Sequence, residues 1–180
     1  MKLLVASDIH GSAYYCKKIL EAFERENADK ILLLGDILYH GPRNALPKDY
    51  DPKTVASMLN AKKDKLICVK GNCDSDVDQM VLEFPIMAQY ALITFENRVI
   101  FATHGDKINV DAPPYLNKND ILLYGHFHVP VCDIKDNYIY MNPGSASIPK
   151  ENSKHSYMVT DGTRFEWKDT DGNTYMEKIV

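Results

Sequence analysis

Three short, largely apolar runs in the first half of the chain each stop abruptly at a polar motif. Residues 2–6 end at Ser7-Asp8-Ile9-His10, residues 31–34 at Gly35-Asp36, and residues 66–69 lead into Gly71-Asn72-Cys73-Asp74. Runs of this length without polar alternation read as strands covered on both faces, the habit of a parallel sheet. Between the first two, Cys16, Ile19, Leu20 and Phe23 fall at i, i+3, i+4 and i+7, one stripe of an amphipathic helix, with Ser12 placed to cap it. Between the second and third, a turn-rich loop (His40-Gly41-Pro42-Arg43-Asn44) precedes Pro52, which suits the first turn of a helix running to about Asn60. Strand–helix alternation of this kind requires parallel pairing with crossover helices.

The second half changes habit. Residues 90–95 and 99–103 read as strands joined by Glu96-Asn97-Arg98, a hairpin-length connection. Further short strands are expected at 121–124, 131–134, 138–141, 157–160, 164–167 and 174–179, with Asp161-Gly162 and Asp171-Gly172 as turns. The order fits an α/β fold in which two β-sheets pack face to face as a sandwich flanked by helices. At 180 residues the whole chain, 1–180, is expected to be one domain large enough to bury a core without disulfides or a structural metal.

The chemistry collects at the strand ends, where loops of α/β sheets converge on ligands. Asp8, His10, Asp36, Asn72, His104, His126 and His128 all sit directly after expected strands. The i, i+2 spacing of Asp8/His10 and of His126/His128 directs both members of each pair to one side if the backbone is extended. Imidazole, carboxylate and amide oxygen without grouped thiolates suit Mn²⁺, Fe²⁺, Zn²⁺ or Ni²⁺. Seven ligands exceed one tetrahedral site and match two ions sharing a carboxylate, an arrangement suited to phosphoester hydrolysis. Taken singly, an Asp after a strand is a turn or cap residue and a lone His is structural; it is the ordered set that argues otherwise. Asp74 is expected to orient Asn72 or to cap the next helix, His155 to lie in a polar surface turn, and Cys16, Cys68 and Cys132 to be small core residues.

The ordered set Asp-x-His, Gly-Asp, Gly-Asn-x-Asp, His, Gly-His-x-His resembles the calcineurin-like metallophosphoesterases. The stretches Ser7–Ser12, His40–Pro47, Gly71–Asp74 and Asn142–Ser145 are similar to a bacterial phosphodiesterase branch of that family. The resemblance implies a four-layer α/β/β/α arrangement and two divalent ions, Mn²⁺ foremost, with Fe²⁺, Zn²⁺, Ni²⁺ or Co²⁺ as alternatives. It places one ion on Asp8, His10, Asp36 and His128, and the second on Asp36, Asn72, His104 and His126. A hydroxide bridging the ions would attack phosphorus in line, with Asn72 and Arg43 meeting phosphate oxygens. Many family members carry His where this chain has Cys73. A thiol is a weak donor that carries no stable positive charge, so activity is expected to favour phosphodiesters with good leaving groups. Asp106 stands where relatives often have a second His, and no role is assigned to it, to His40 or to Ser145.

Charge and composition narrow the partners. A net charge of −4, with the densest basic patch (Lys62, Lys63, Lys65) interrupted by Asp64, offers no cationic stripe for nucleic acid. No apolar run approaches the ~20 residues that span a bilayer, so no membrane partner is expected. Asp8 and His10 interrupt the first apolar stretch too early for a secretory leader, and the four cysteines form no CxxC pair. These readings lead to a cytoplasmic enzyme acting on a small-molecule phosphoester, and the resemblance adds a homo-oligomer. The alternatives are a non-catalytic protein-binding scaffold of the same fold, or a phosphomonoesterase or nuclease of the same superfamily.

Overall fold

The computed structural model describes residues 1–96 and 98–180, and Asn97 of the expected hairpin connection lies outside them. The first half alternates as expected: β1 (Leu3–Ala6), α1 (Ala13–Arg25), β2 (Lys30–Leu33), α2 (Pro52–Asn60) and β3 (Leu66–Cys68). Both helix starts follow their local chemistry. Ser12 Oγ accepts from the Tyr15 N–H, and Asp51 accepts from Thr54 ahead of Pro52 in the first turn. A short helix not placed from sequence, α3 (Asp76–Val81), follows β3; it is closed by a capping box between Ser75 and Asp78.

Eight strands follow: β4 (Tyr90–Phe95), β5 (Arg98–Thr103), β6 (Asp120–Leu123), β7 (Pro130–Ile134), β8 (Tyr138–Pro143), β9 (Ser156–Thr160), β10 (Arg164–Asp169) and β11 (Thr174–Ile179). They divide between two sheets. One has the order β11-β10-β9-β1-β2-β3, with β1, β2 and β3 parallel and β9 antiparallel to β1. The other has the order β4-β5-β6-β8-β7, with a parallel centre (β5, β6, β8) and antiparallel edges.

Alternation along β1 sends Leu4 and Ala6 into a cluster with Cys16, Ile19 and Phe23 of α1 and Val55 and Leu59 of α2. Leu3 and Val5 point the other way, into a second cluster with Ile100, Ile121, Leu123, Met141 and Phe165, which fills the space between the sheets. The sandwich is therefore the expected one. The outer face of the second sheet (Phe101, Leu122, Tyr124, Tyr140) is covered by Ile108, Val110 and Leu116, which belong to an irregular segment rather than a helix. The site-bearing loops follow β1, β2, β3, β5, β6 and β8, all parallel within their sheets, so their C-terminal ends open on the same edge.

Trp167 ties the two sheets together: fully buried on β10, it donates its indole N–H to the Asn142 carbonyl of β8 at 2.6 Å. Trp167→Phe removes that bond and part of the packing between sheets. It is expected to lower the unfolding free energy by about 1–3 kcal/mol, measured by urea denaturation.

Candidate metal centre

Asp8 sets the geometry. One of its carboxylate oxygens, Oδ2, accepts from Ser7 Oγ at 2.6 Å and from the His126 N–H at 3.1 Å. The other, Oδ1, is buried and has no hydrogen-bond partner among the described residues. It faces His128 Nε2 at 3.3 Å and His10 Nε2 at 3.6 Å. His10 Nε2 in turn lies 3.3 Å from His128 Nε2 and 3.7 Å from Asp36 Oδ2. Asp8, His10 and His128 bring donor atoms close enough to share one cation, and Asp36 adjoins them through its contact with His10.

A second group adjoins the first. His104 Nε2 is 3.5 Å from Asp36 Oδ2, 2.9 Å from Asn72 Oδ1 and 3.2 Å from His126 Nδ1. Asp36 Oδ2 is thus common to both groups, while Asp36 Oδ1 accepts the Cys73 N–H at 2.8 Å. All seven residues singled out as ligands come together, and their donor set of imidazole, carboxylate and amide oxygen fits divalent transition ions.

Hydrogen bonds to backbone carbonyls orient three of the rings. His10 Nδ1 lies 2.8 Å from the Tyr39 carbonyl, His104 Nδ1 2.7 Å from that of Leu34, and His128 Nδ1 2.6 Å from that of Ile148. A carbonyl only accepts, so each Nδ1 carries the proton and each Nε2 is directed at the centre. His126 reverses the pattern and turns Nδ1 inward.

The i, i+2 pairs converge by a different route from the extended chain that their spacing suggested. Asp8, His10, Asp36, His126 and His128 all have left-handed backbone, with φ of 57°, 49°, 56°, 62° and 62°. Each of these non-glycine residues is held in a sparsely populated region, which persists only where surrounding contacts over-determine it. Those contacts are visible. Asp74 accepts the N–H groups of Asp36, Ile37 and Gly71, each at 2.8 Å, and so clamps two of the loops together. Asp74 therefore neither caps α3, which Ser75 does, nor binds the Asn72 side chain. Ser145 and Ser147 both donate to the Asp8 carbonyl at 2.9 Å. Gly71 and Gly125 are needed for close approach: a Cβ at Gly71 would overlap the Asp36 carboxylate, and one at Gly125 would overlap Ser7 Oγ. No spacing rule points to Asp74, Ser145 or Ser147, because their partners are distant in sequence or in the backbone.

The charges are unusual. Burial opposes ionisation of Asp8, yet His128, His104 and His10 hold its carboxyl well below the usual range. Asp36 is likewise lowered, against burial, by its contact with His104. Burial pushes His104 down, but the Asp36 contact and the charges of Asp8 and Asp36 prevail and raise it to about 9. His126 is lowered by burial and by the charge of His104. Burial and the neighbouring Asp36 push the Cys73 thiol up to about 12, so it is neutral at physiological pH.

A cleft of about 340 Å³ opens over the centre, walled by His10, Asp36, Asn72, Cys73, His126 and His128. Arg43 stands at its exposed rim together with Lys150 and Phe127, neither of which was singled out from sequence. His40 does not line this cleft; its ring packs edge-on against Tyr39 and Tyr50. Asp106 is exposed and outside the cleft wall. His155 departs from the surface role expected of it: half-buried, it stacks on Tyr15 and bonds both the Tyr15 hydroxyl and the Ala146 carbonyl at 2.9 Å.

Comparison with known proteins places this arrangement among relatives. Residues 1–164 match the family model described as the calcineurin-like phosphoesterase superfamily domain. The chain is 48% identical over 161 residues to phosphodiesterase YfcE of Escherichia coli strain K12, covering 89% of this chain and 88% of that protein. It is 26% identical to the probable metallophosphoesterase YsnB of Bacillus subtilis, covering 96% of this chain and 94% of the other. The solved structure of the E. coli phosphoesterase YfcE superposes with a TM-score of 0.97 at 42% identity, over 100% of both chains.

With its pKa raised to about 9, His104 of the metal-free protein is protonated at pH 7.5 and must lose that proton before Nε2 can bind an ion. Titration with Mn²⁺ is expected to release roughly one proton from this residue, with affinity falling as pH drops below about 9. Calorimetry in buffers of different ionisation enthalpy measures the release; none at pH 7.5 would contradict the assignment.

Proposed function

Because the chain belongs to the calcineurin-like phosphoesterase superfamily, we propose that it is a metal-dependent phosphodiesterase hydrolysing a small-molecule phosphodiester at a dinuclear centre. The observation that carries this reading is the shared position of Asp36 Oδ2, 3.7 Å from His10 Nε2 in one group and 3.5 Å from His104 Nε2 in the other. Asp8, His10, Asp36 and His128 would hold one divalent ion, and Asp36, Asn72, His104 and His126 the other. Such ions supply Lewis-acid polarisation of the phosphoryl group and a nucleophile drawn from water near neutral pH. Mn²⁺ is the proposed metal, with Fe²⁺, Zn²⁺, Ni²⁺ or Co²⁺ as substitutes, since the donor set does not separate them.

The chain's own groups do the rest. Arg43 and Lys150, both exposed at the rim, attract and orient the anionic phosphoryl group. Asn72 turns its amide oxygen toward His104 and leaves its amide nitrogen on the cleft side near Cys73 Sγ, 3.2 Å away. Cys73 remains a neutral thiol and gives a departing alkoxide little help. A cleft of about 340 Å³ suits a small substrate better than a polymer.

The proposal extends to the whole molecule. The core shared by the two sheets supports a single domain over residues 1–180, and the four free cysteines support a reducing, cytoplasmic setting. No helix among the described residues is long and apolar enough to cross a membrane. Exposed Tyr90 and Leu92 on the edge strand β4 support a homo-oligomer.

Two measurements test the reading. Altering groups around a metal ligand costs about 10–100-fold in metal affinity or activity, and a ligand common to both ions should cost more. Asp36→Asn is therefore expected to lower Mn²⁺-dependent hydrolysis of bis(4-nitrophenyl) phosphate by more than about 100-fold and to reduce the number of ions bound per chain; near-native turnover would remove the bridging role. With aryl phosphodiesters of graded leaving-group pKa, log kcat should fall steeply as that pKa rises, because Cys73 is a poor proton donor. A flat dependence would count against that role for Cys73.

A further inference from the structure

A second depression, of about 440 Å³, adjoins the metal cleft, and Cys73 belongs to the walls of both. Its other walls come from Leu38, Tyr39 and Tyr50 on one side and Val77 and Val81 of α3 on the other. Three of these apolar side chains stand unusually open to solvent: Tyr39 at 41%, Val77 at 68% and Val81 at 50% exposure. A contiguous apolar surface of this kind marks a binding site more often than idle surface.

Two observations join it to the reaction centre. Tyr39 lends its carbonyl to His10 Nδ1 at 2.8 Å, while its side chain walls the depression. Cys73 gives its N–H to Asp36 Oδ1 at 2.8 Å and forms the boundary between the two spaces. Lys53 stands exposed at the edge, but the other polar groups there are already engaged. Ser75 and Asp78 satisfy one another in the capping box of α3, and Pro52 has no N–H to offer. A sugar or glycerol hydroxyl would find few partners there, whereas an alkyl or aryl group would cover exposed carbon.

We infer that this depression is the subsite for one ester group of the substrate, and that the enzyme prefers phosphodiesters carrying an apolar alkyl or aryl substituent on the side of Cys73. The inference rests on the phosphodiesterase reading and names the substrate class for that same site. Phosphorus would lie over the metal centre, with the departing oxygen on the cleft side of Cys73. The retained ester arm would pass the other side of Cys73 to lie between Tyr39 and α3. A thiol at that boundary is small and apolar enough to let the arm through.

The test holds the leaving group constant. Methyl 4-nitrophenyl phosphate and hexyl 4-nitrophenyl phosphate both release 4-nitrophenolate and differ only in the retained ester. With Mn²⁺, the native protein is expected to show a KM about tenfold lower for the hexyl ester, with kcat little changed. The double variant Val77→Ser, Val81→Ser, altered only on the exposed face of α3, should lose that preference while its constants for the methyl ester stay the same. Equal KM values for both esters in the native protein would overturn the inference and leave the phosphodiesterase reading standing. A preference that survives the double substitution would also overturn it, by placing the alkyl arm elsewhere. Sedimentation of native and variant chains checks the other occupant: a dimer dissolved by the two serines would assign the surface to a second copy and overturn the subsite. Turnover of neither ester with any divalent ion would instead remove the phosphodiesterase reading and the subsite with it.

Discussion

Two buried carboxylates lie side by side at the end of an apolar sandwich, and no lysine or arginine among the described residues is paired with either. The basic groups beside Asp8 and Asp36 are imidazoles: His10 and His128 beside the first, His10 and His104 beside the second. Burying an unpaired carboxylate is costly, and a carboxylate oxygen without a donor adds to that cost. Without metal, His104 meets part of the demand by holding its proton to about pH 9. Divalent cations would meet it fully, and the orphaned Asp8 Oδ1 lies where one would be gripped. The arrangement thus gives up stability in the absence of metal in return for a site already organised to receive it.

Keeping that arrangement in place is the task of the surrounding loops. Five of the seven candidate ligands have left-handed backbone, a conformation that a flexible loop would relax. They are held because the loops are tied to one another rather than to solvent. Asp74 joins the β2 and β3 loops, Ser145 and Ser147 join the β8 loop to that of β1, and the Leu34, Tyr39 and Ile148 carbonyls set the imidazoles. Parallel strands make such cross-ties possible, since their C-terminal ends open on a common edge. The apolar depression beyond Cys73 is built from the same loops, so any substrate arm it accepts is positioned relative to the ligands by the ties that hold the ligands themselves.

Much of this is legible in the amino-acid sequence. Ser12 and Pro52 mark helix starts through local hydrogen bonding and a fixed φ, which depend on near neighbours. The seven ligand candidates stood out because their residue types recur in order after apolar runs. The expectations that Asp74 orients Asn72 or caps a helix and that His155 lies at the surface fail for one reason: the groups they bond, near Asp36 for one and at Tyr15 and Ala146 for the other, are brought to them only by folding. The sequence offers a cap for a helix after Asp74 but no bounds for it, because the six residues of α3 bury no side chain and so carry no apolar stripe.

The chain alone determined which residues are strands, where the first two helices begin and which side chains are candidates for metal chemistry, because each of these is set by periodicity, capping or donor type within a few residues. Only the tertiary structure decided that the C-terminal strands return to pair with β1, that left-handed backbone rather than extended chain turns the ligand pairs inward, and that Asp36 stands between two groups of donors. Those outcomes depend on contacts between segments far apart along the chain, as between Leu3 and Thr160 in the β1–β9 pair or Ser147 and Asp8 in the site. No local pattern encodes the distance between atoms so widely separated along the backbone.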